Sequence, residues 1–110
     1  MTPDEYVTRL KSIEDRKVEL LQAMDEESIQ LAREYAFGGN TVKAGDILES
    51  VNGDIIMVDR VKFTRSTINN NGLPCCVYEG NQLTKKLQPR ANPIRLKLFQ
   101  PNVAKVVQND

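Results

Sequence analysis

Asn52-Gly53 stands between two apolar runs, ILESV at 47–51 and IIMVDRVKF at 55–63. Both residues tolerate the positive φ angles that a type I′ turn requires, so the stretch predicts a tight antiparallel hairpin. Around that hairpin the C-terminal two thirds are expected to fold as a small antiparallel β module. The N-terminal third reads as one long charged helix. The fold class expected is therefore α+β, with a helical arm over 1–40 and a β module over 41–110.

Gly45-Asp46 leads into the first strand at 47–51. The second strand, 55–64, is long and changes its alternation at Asp59-Arg60. Ile56 and Val58 share one parity, Val61 and Phe63 the other, and a bulge between them would return all four to one face. Bent, bulged strands are how small sheets curl, so four or five strands predict a half-open barrel of the Src-homology-3-like shape. The residues at 66–73, STINNNGL, read as a mobile polar loop that could be a binding tip. A third strand is expected at 75–79. Gly80-Asn81 is then expected to turn the chain into a short fourth strand at 82–86. QPRANP at 88–93 carries two prolines and is excluded from a central strand. A final strand at 94–99 places Ile94, Leu96 and Leu98 inward and Arg95 and Lys97 outward. The tail from Asn102 reads as an edge strand or a turn.

Thr2-Pro3-Asp4-Glu5 marks a helix start. Thr2 can cap, Pro3 suits the first helical position, and Thr2 with Glu5 has capping-box spacing. Apolar residues recur at Tyr6, Leu10, Ile13, Leu20, Leu21, Met24, Leu31 and Tyr35, and Gly38-Gly39-Asn40 ends the pattern. Asp25-Glu26-Glu27-Ser28 interrupts the stripe and leaves a break near Met24 as the alternative to one continuous helix. A continuous helix would be roughly 50 Å long at 1.5 Å per residue. A compact module of this size is only about 25–30 Å across. Its own β module cannot cover such a stripe, so a second copy or a foreign partner must. A homodimer is the preferred answer, because symmetric dimers are the commonest oligomers. Lys17 and Glu27 break the heptad, which argues against a long regular coiled coil.

Overall charge is balanced, with 15 bases and 15 acids, but its distribution is not. Residues 1–40 hold nine acids and five bases, whereas 41–110 hold six acids and ten bases. Between Glu79 and Asp110 there is no acid, while Lys85, Lys86, Arg90, Arg95, Lys97 and Lys105 are all basic. Outward cations on strands can neutralise phosphates, with Tyr78 and Phe99 as stacking surfaces beside them. The same cations also guard edge strands against aggregation, and a sequence pI near 6.3 is low for a nucleic-acid-binding domain.

The chain has no histidine, which removes the commonest general base and metal ligand. No phosphate-cradling glycine loop follows Gly38-Gly39. Asp46, Asp54 and Asp59 could approach one another around the hairpin, but turn positions are ordinary for Asp. Cys75 and Cys76 are adjacent and point to opposite faces of a strand, so neither a shared metal nor an unstrained disulfide is expected. One buried thiol and one exposed thiol are expected instead. No catalytic residue, metal or cofactor is expected. No apolar run approaches the roughly 20 residues of a membrane span. The acidic start MTPDEYVTRLKS lacks the pattern of a secretory signal, which makes the cytoplasm the expected location.

The Gly45-Asp46-Ile47 opening of the first strand, the long second strand and the later Tyr78-Glu79-Gly80 stretch resemble a group of small proteins of bacterial prophages and mobile elements, the YopX-like phage proteins among them. The likeness covers roughly residues 41–100. It implies a small β-barrel and carries no catalytic residues.

The expected function is a non-enzymatic protein-binding or assembly module, homodimeric through Tyr6, Leu10, Ile13, Leu20, Met24 and Leu31. The alternative is nucleic-acid binding through Lys85, Lys86, Arg90, Arg95 and Lys97.

Overall fold

The computed structural model describes residues 1–65 and 70–108. Positions 66–69 of the expected loop lie outside the described residues. The chain divides into two compact units, Met1–Leu31 and Ala32–Asp110. The helix α1, Pro3–Phe37, is unbroken over 35 residues. Its start is capped as the sequence predicts: the Glu5 N–H donates to Thr2 Oγ1 at 3.1 Å. No break occurs near Met24, because DEES contains neither Gly nor Pro and its residues all tolerate a helix. Gly38 and Gly39 end the helix, and the Asn40 N–H closes on the Phe37 carbonyl at 3.1 Å.

The second unit is built on five strands: β1 Ile47–Ser50, β2 Ile55–Thr64, β3 Cys75–Leu83, β4 Arg95–Phe99 and β5 Val103–Gln108. All pairs are antiparallel, in the order β4-β3-β2-β1-β5. The sheet is not closed, and β4 and β5 form its two edges. The α+β class therefore stands, with five antiparallel strands in one open sheet, the fifth supplied by the tail rather than by 82–86. The tail forms β5 after a 3-10 turn at Gln100–Asn102.

Two local expectations are corrected. The hairpin forms, but not through a two-residue type I′ turn. The Gly53 N–H donates to the Ser50 carbonyl, the Ser50 N–H to the Asp54 carbonyl, and only Gly53 has positive φ, at +90°. This is a three-residue loop, Val51-Asn52-Gly53, whose last position takes the left-handed conformation. Ser50 makes it possible, because its buried Oγ accepts from the N–H groups of Asn52 and Asp54 at 3.2 and 3.1 Å. The second correction is at Gly80-Asn81, where no turn exists. β3 runs straight through to Leu83, and the reversal comes later, at Thr84–Gln88, with Leu87 at φ +62°. The strand expected at 82–86 is thus partly the end of β3 and partly this turn.

The bulge in β2 is where the alternation places it. Val58 pairs with Gly80 and Arg60 with Glu79, leaving Asp59 as the extra residue. Ile56 and Val58 are buried in the main core, and Val61 and Phe63 pack on the same cluster. That cluster gathers Ala36, Leu48, Ile56, Val58, Cys76, Tyr78 and Leu98, with Phe37 and Val42 against it. The last turns of α1 therefore belong to the sheet unit rather than to the arm. Burial of each large member contributes about 1.5–3 kcal/mol. A smaller cluster of Ile47, Ile55 and Leu83 sits beside it.

Both cysteines are buried, which overturns the expectation of one exposed thiol. β3 has a hydrogen-bonded neighbour on each side, β2 and β4, and every residue from Cys75 to Gly80 is buried. Burial pushes both thiols above their ordinary pKa. The Cys76 thiol donates to the Ala36 carbonyl at 3.1 Å and so satisfies an orphan acceptor at the end of α1.

Candidate functional site

The first candidate surface is the arm. Every residue of Met1–Leu31 is exposed. The six stripe residues keep between 39% (Leu10) and 69% (Leu31) of their surface accessible. Scattered apolar side chains on a surface are ordinary; here they recur at helical spacing along the unit, interrupted at Lys17 and Glu27. No helix of the described residues is long and apolar enough to cross a membrane.

The second candidate is the polar face of β2, β3 and β4, where the structure separates the five predicted cations. Arg95 and Lys97 lie on β4 and are already engaged. Arg95 donates to both Asp59 carboxylate oxygens, each at 2.7 Å, in the fork geometry that guanidinium and carboxylate share. Its guanidinium also lies 3.6 Å from Glu79. Glu79 is the hub: its side chain is 6% exposed, with Lys62 at 3.3 Å and Lys97 at 3.9 Å. Burial alone would raise the Glu79 pKa, but Lys62, Lys97 and Arg95 together hold it below the ordinary value. The Arg95 bond outweighs burial at Asp59, whose carboxyl is likewise held low. Lys85 and Lys86 sit exposed in the turn after β3. Arg90 lies in the same connection and donates to Gln82 Oε1 at 3.0 Å, while Gln82 Nε2 donates to Asp54 at 3.3 Å.

The bulge brings these groups together. By inserting Asp59 it moves Arg60 opposite Glu79 and lets the Asp59 carboxylate reach Arg95 on β4. The run of bases after Glu79 has no acid in sequence, but β2 and β3 supply two acids across the sheet. Sequence reasoning missed that role for Asp59 and Glu79. The parity change at Asp59 was a usable signal for the bulge; the identity of its cross-strand partner was not.

Contrary to expectation, Tyr78 is 1% exposed and cannot stack on a base. Its hydroxyl donates to Asn40 Oδ1 at 2.7 Å, and burial drives its pKa upward. Asn40 in turn accepts from the Val42 N–H at 3.2 Å and donates to the Val42 carbonyl at 2.9 Å. The three aspartates named from the hairpin do not converge. Asp46 is buried and accepts from the Lys43 N–H, Asp54 from Gln82, and Asp59 from Arg95. Among the described residues, no three of His, Cys, Asp and Glu are grouped so as to hold a metal.

A groove of about 180 Å³ lies beside the bulge, lined by Met57, Asp59, Asn81, Leu83, Pro89 and Arg90 among others. Ligand sites commonly enclose about 300–1,000 Å³, and this groove is smaller than that. No protein family, curated protein or solved structure matches the chain.

Proposed function

We propose that the protein is a non-enzymatic assembly module that associates with a second copy of itself through the arm. The observation carrying this reading is the exposure of Tyr6, Leu10, Ile13, Leu20, Met24 and Leu31 along one 31-residue unit. An isolated helix gains little from propensity alone and draws its stability from packing an amphipathic face. The order β4-β3-β2-β1-β5, in which the last strand returns to the first, supports a Src-homology-3-like reading of the second unit. Two buried, unpaired thiols suit a reducing compartment such as the cytoplasm. The test is the mass of the full chain in solution, measured by sedimentation over a wide concentration range. The expectation is a dimer for the native chain and a monomer for Leu20→Glu/Leu31→Glu. A native chain that stays monomeric throughout would remove the proposal.

A second reading, nucleic-acid binding, has Lys85, Lys86 and Arg90 in its favour, exposed together in one connection. Arg95 and Lys97 weaken it, since Asp59 and Glu79 already neutralise them. Phosphate contacts would make binding fall steeply with salt, and Lys85→Ala/Lys86→Ala would weaken it across all sequences. Absence of binding at low salt would discard this reading.

A further inference from the structure

The two residues that interrupt the apolar seam of the arm are oppositely charged, and their spacing has a consequence for how two arms can meet. α1 is continuous through Asp25 to Ser28, so one heptad phase holds along the arm. In that phase Leu10, Lys17, Met24 and Leu31 occupy one core position, and Tyr6, Ile13, Leu20 and Glu27 the other. Lys17 and Glu27 are equally distant from Gln22, one on each side. Leu20 and Met24, and Ile13 and Leu31, are centred on the same residue.

Resting on the reading of the arm as a self-association surface, we infer that two copies pair antiparallel, with the twofold axis at Gln22. Lys17 of each copy then faces Glu27 of the other, twice over. Leu20 faces Met24 and Ile13 faces Leu31, so each remaining layer from 13 to 31 is apolar. Leu21 and Ala23, which flank the seam, each meet their own copies at the axis. All of these residues are exposed in the single chain, with Leu20 at 65%, Met24 at 64% and Leu31 at 69%. A parallel pair would stack Lys17 on Lys17 and Glu27 on Glu27, placing like charges together in two core layers. Charged groups at core positions cost stability but fix register and orientation. The two polar interruptions therefore select the antiparallel arrangement.

The experiment combines charge exchange with directed cross-linking in the full chain. Lys17→Glu alone, or Glu27→Lys alone, creates two like-charge layers in the antiparallel pair and should weaken self-association about 100-fold or more. The combined Lys17→Glu/Glu27→Lys chain should return to within a few-fold of the native affinity. Dispersed amide NMR signals from the sheet unit on each variant confirm that loss of the dimer is not loss of the fold. In the second arm of the test, a chain carrying Ile13→Cys is mixed with one carrying Leu31→Cys under oxidation. The antiparallel pair gives the mixed disulfide, while Ile13→Cys alone gives none, because the two copies of that residue lie about 27 Å apart along the axis. The native Cys75 and Cys76 are buried and do not compete. A dimer in which Ile13→Cys links to itself would overturn the antiparallel register and leave self-association standing. A native chain that is monomeric throughout would defeat both. A dimer that the combined exchange fails to restore would also overturn the inferred pairing.

Discussion

Gly80 offers a sharp test of how the sheet is built. It is buried at the bulge, where a Cβ would overlap the backbone carbonyl of Met57 and crowd Val58 Cα at 3.2 Å. The obstacle is main chain on a paired strand, not the end of a flexible side chain, so β2 and β3 must part for Gly80→Ala to fit. Overpacking of this kind costs about 1–3 kcal/mol. Reduced freedom of the unfolded chain offsets only about 0.4–1 kcal/mol of it. The net expectation is a loss of about 1–2 kcal/mol. Gly39 is the internal control: a Cβ there meets nothing within 4 Å and its φ is not left-handed. Gly39→Ala should be neutral or stabilising by up to about 1 kcal/mol. Urea unfolding followed by circular dichroism reads both variants on one scale, and an unchanged slope excludes altered compactness. Two variants of equal stability would refute the assignment of Gly80 to a close strand approach.

Tyr78→Phe removes the hydroxyl that donates to Asn40 and should cost about 1 kcal/mol, with the sheet otherwise unchanged; a stability equal to the native value in urea would deny that bond a role. Cys75, Cys76 and Tyr78 are all held above their ordinary values of 9.0, 9.0 and 10.0 by burial. The unfolded chain loses these protons first, so stability should be full below about pH 9 and fall as pH rises beyond it. A urea midpoint that is the same at pH 8 and pH 10.5 would contradict this. Asp59 and Glu79 act with the opposite sign, since their folded values lie below 3.8 and 4.5. Their contribution is present above those values and is lost as pH falls through the lower folded ones. Arg95→Ala should move the Asp59 carboxyl midpoint upward in an NMR titration, and an unmoved midpoint would mean the pair does not form in solution.

The limits of α1 could be read directly from Thr2-Pro3 at one end and Gly38-Gly39 at the other. Such signals act within a single turn, through caps and backbone freedom, and need no distant partner. The bulge at Asp59 was legible for the same reason, because a change of parity in one strand is local. The alternation of β4 was only partly so: Leu98 is buried, whereas Ile94 keeps 43% of its surface. Asn52-Gly53 marked the hairpin correctly but not its loop length, which the buried Ser50 hydroxyl decides. Gly80 was read as a turn glycine; the approach of Met57, 23 positions earlier in the chain, makes it a strand glycine instead. The burial of Cys75 and the seating of Glu79 among Lys62, Arg95 and Lys97 also arise across strands. The sequence by itself determined where α1 begins and ends, where the first hairpin lies and where β2 bends, through interactions between near neighbours. The tertiary structure alone decided which charges meet and which faces are covered, because pairing register joins residues that no local pattern connects.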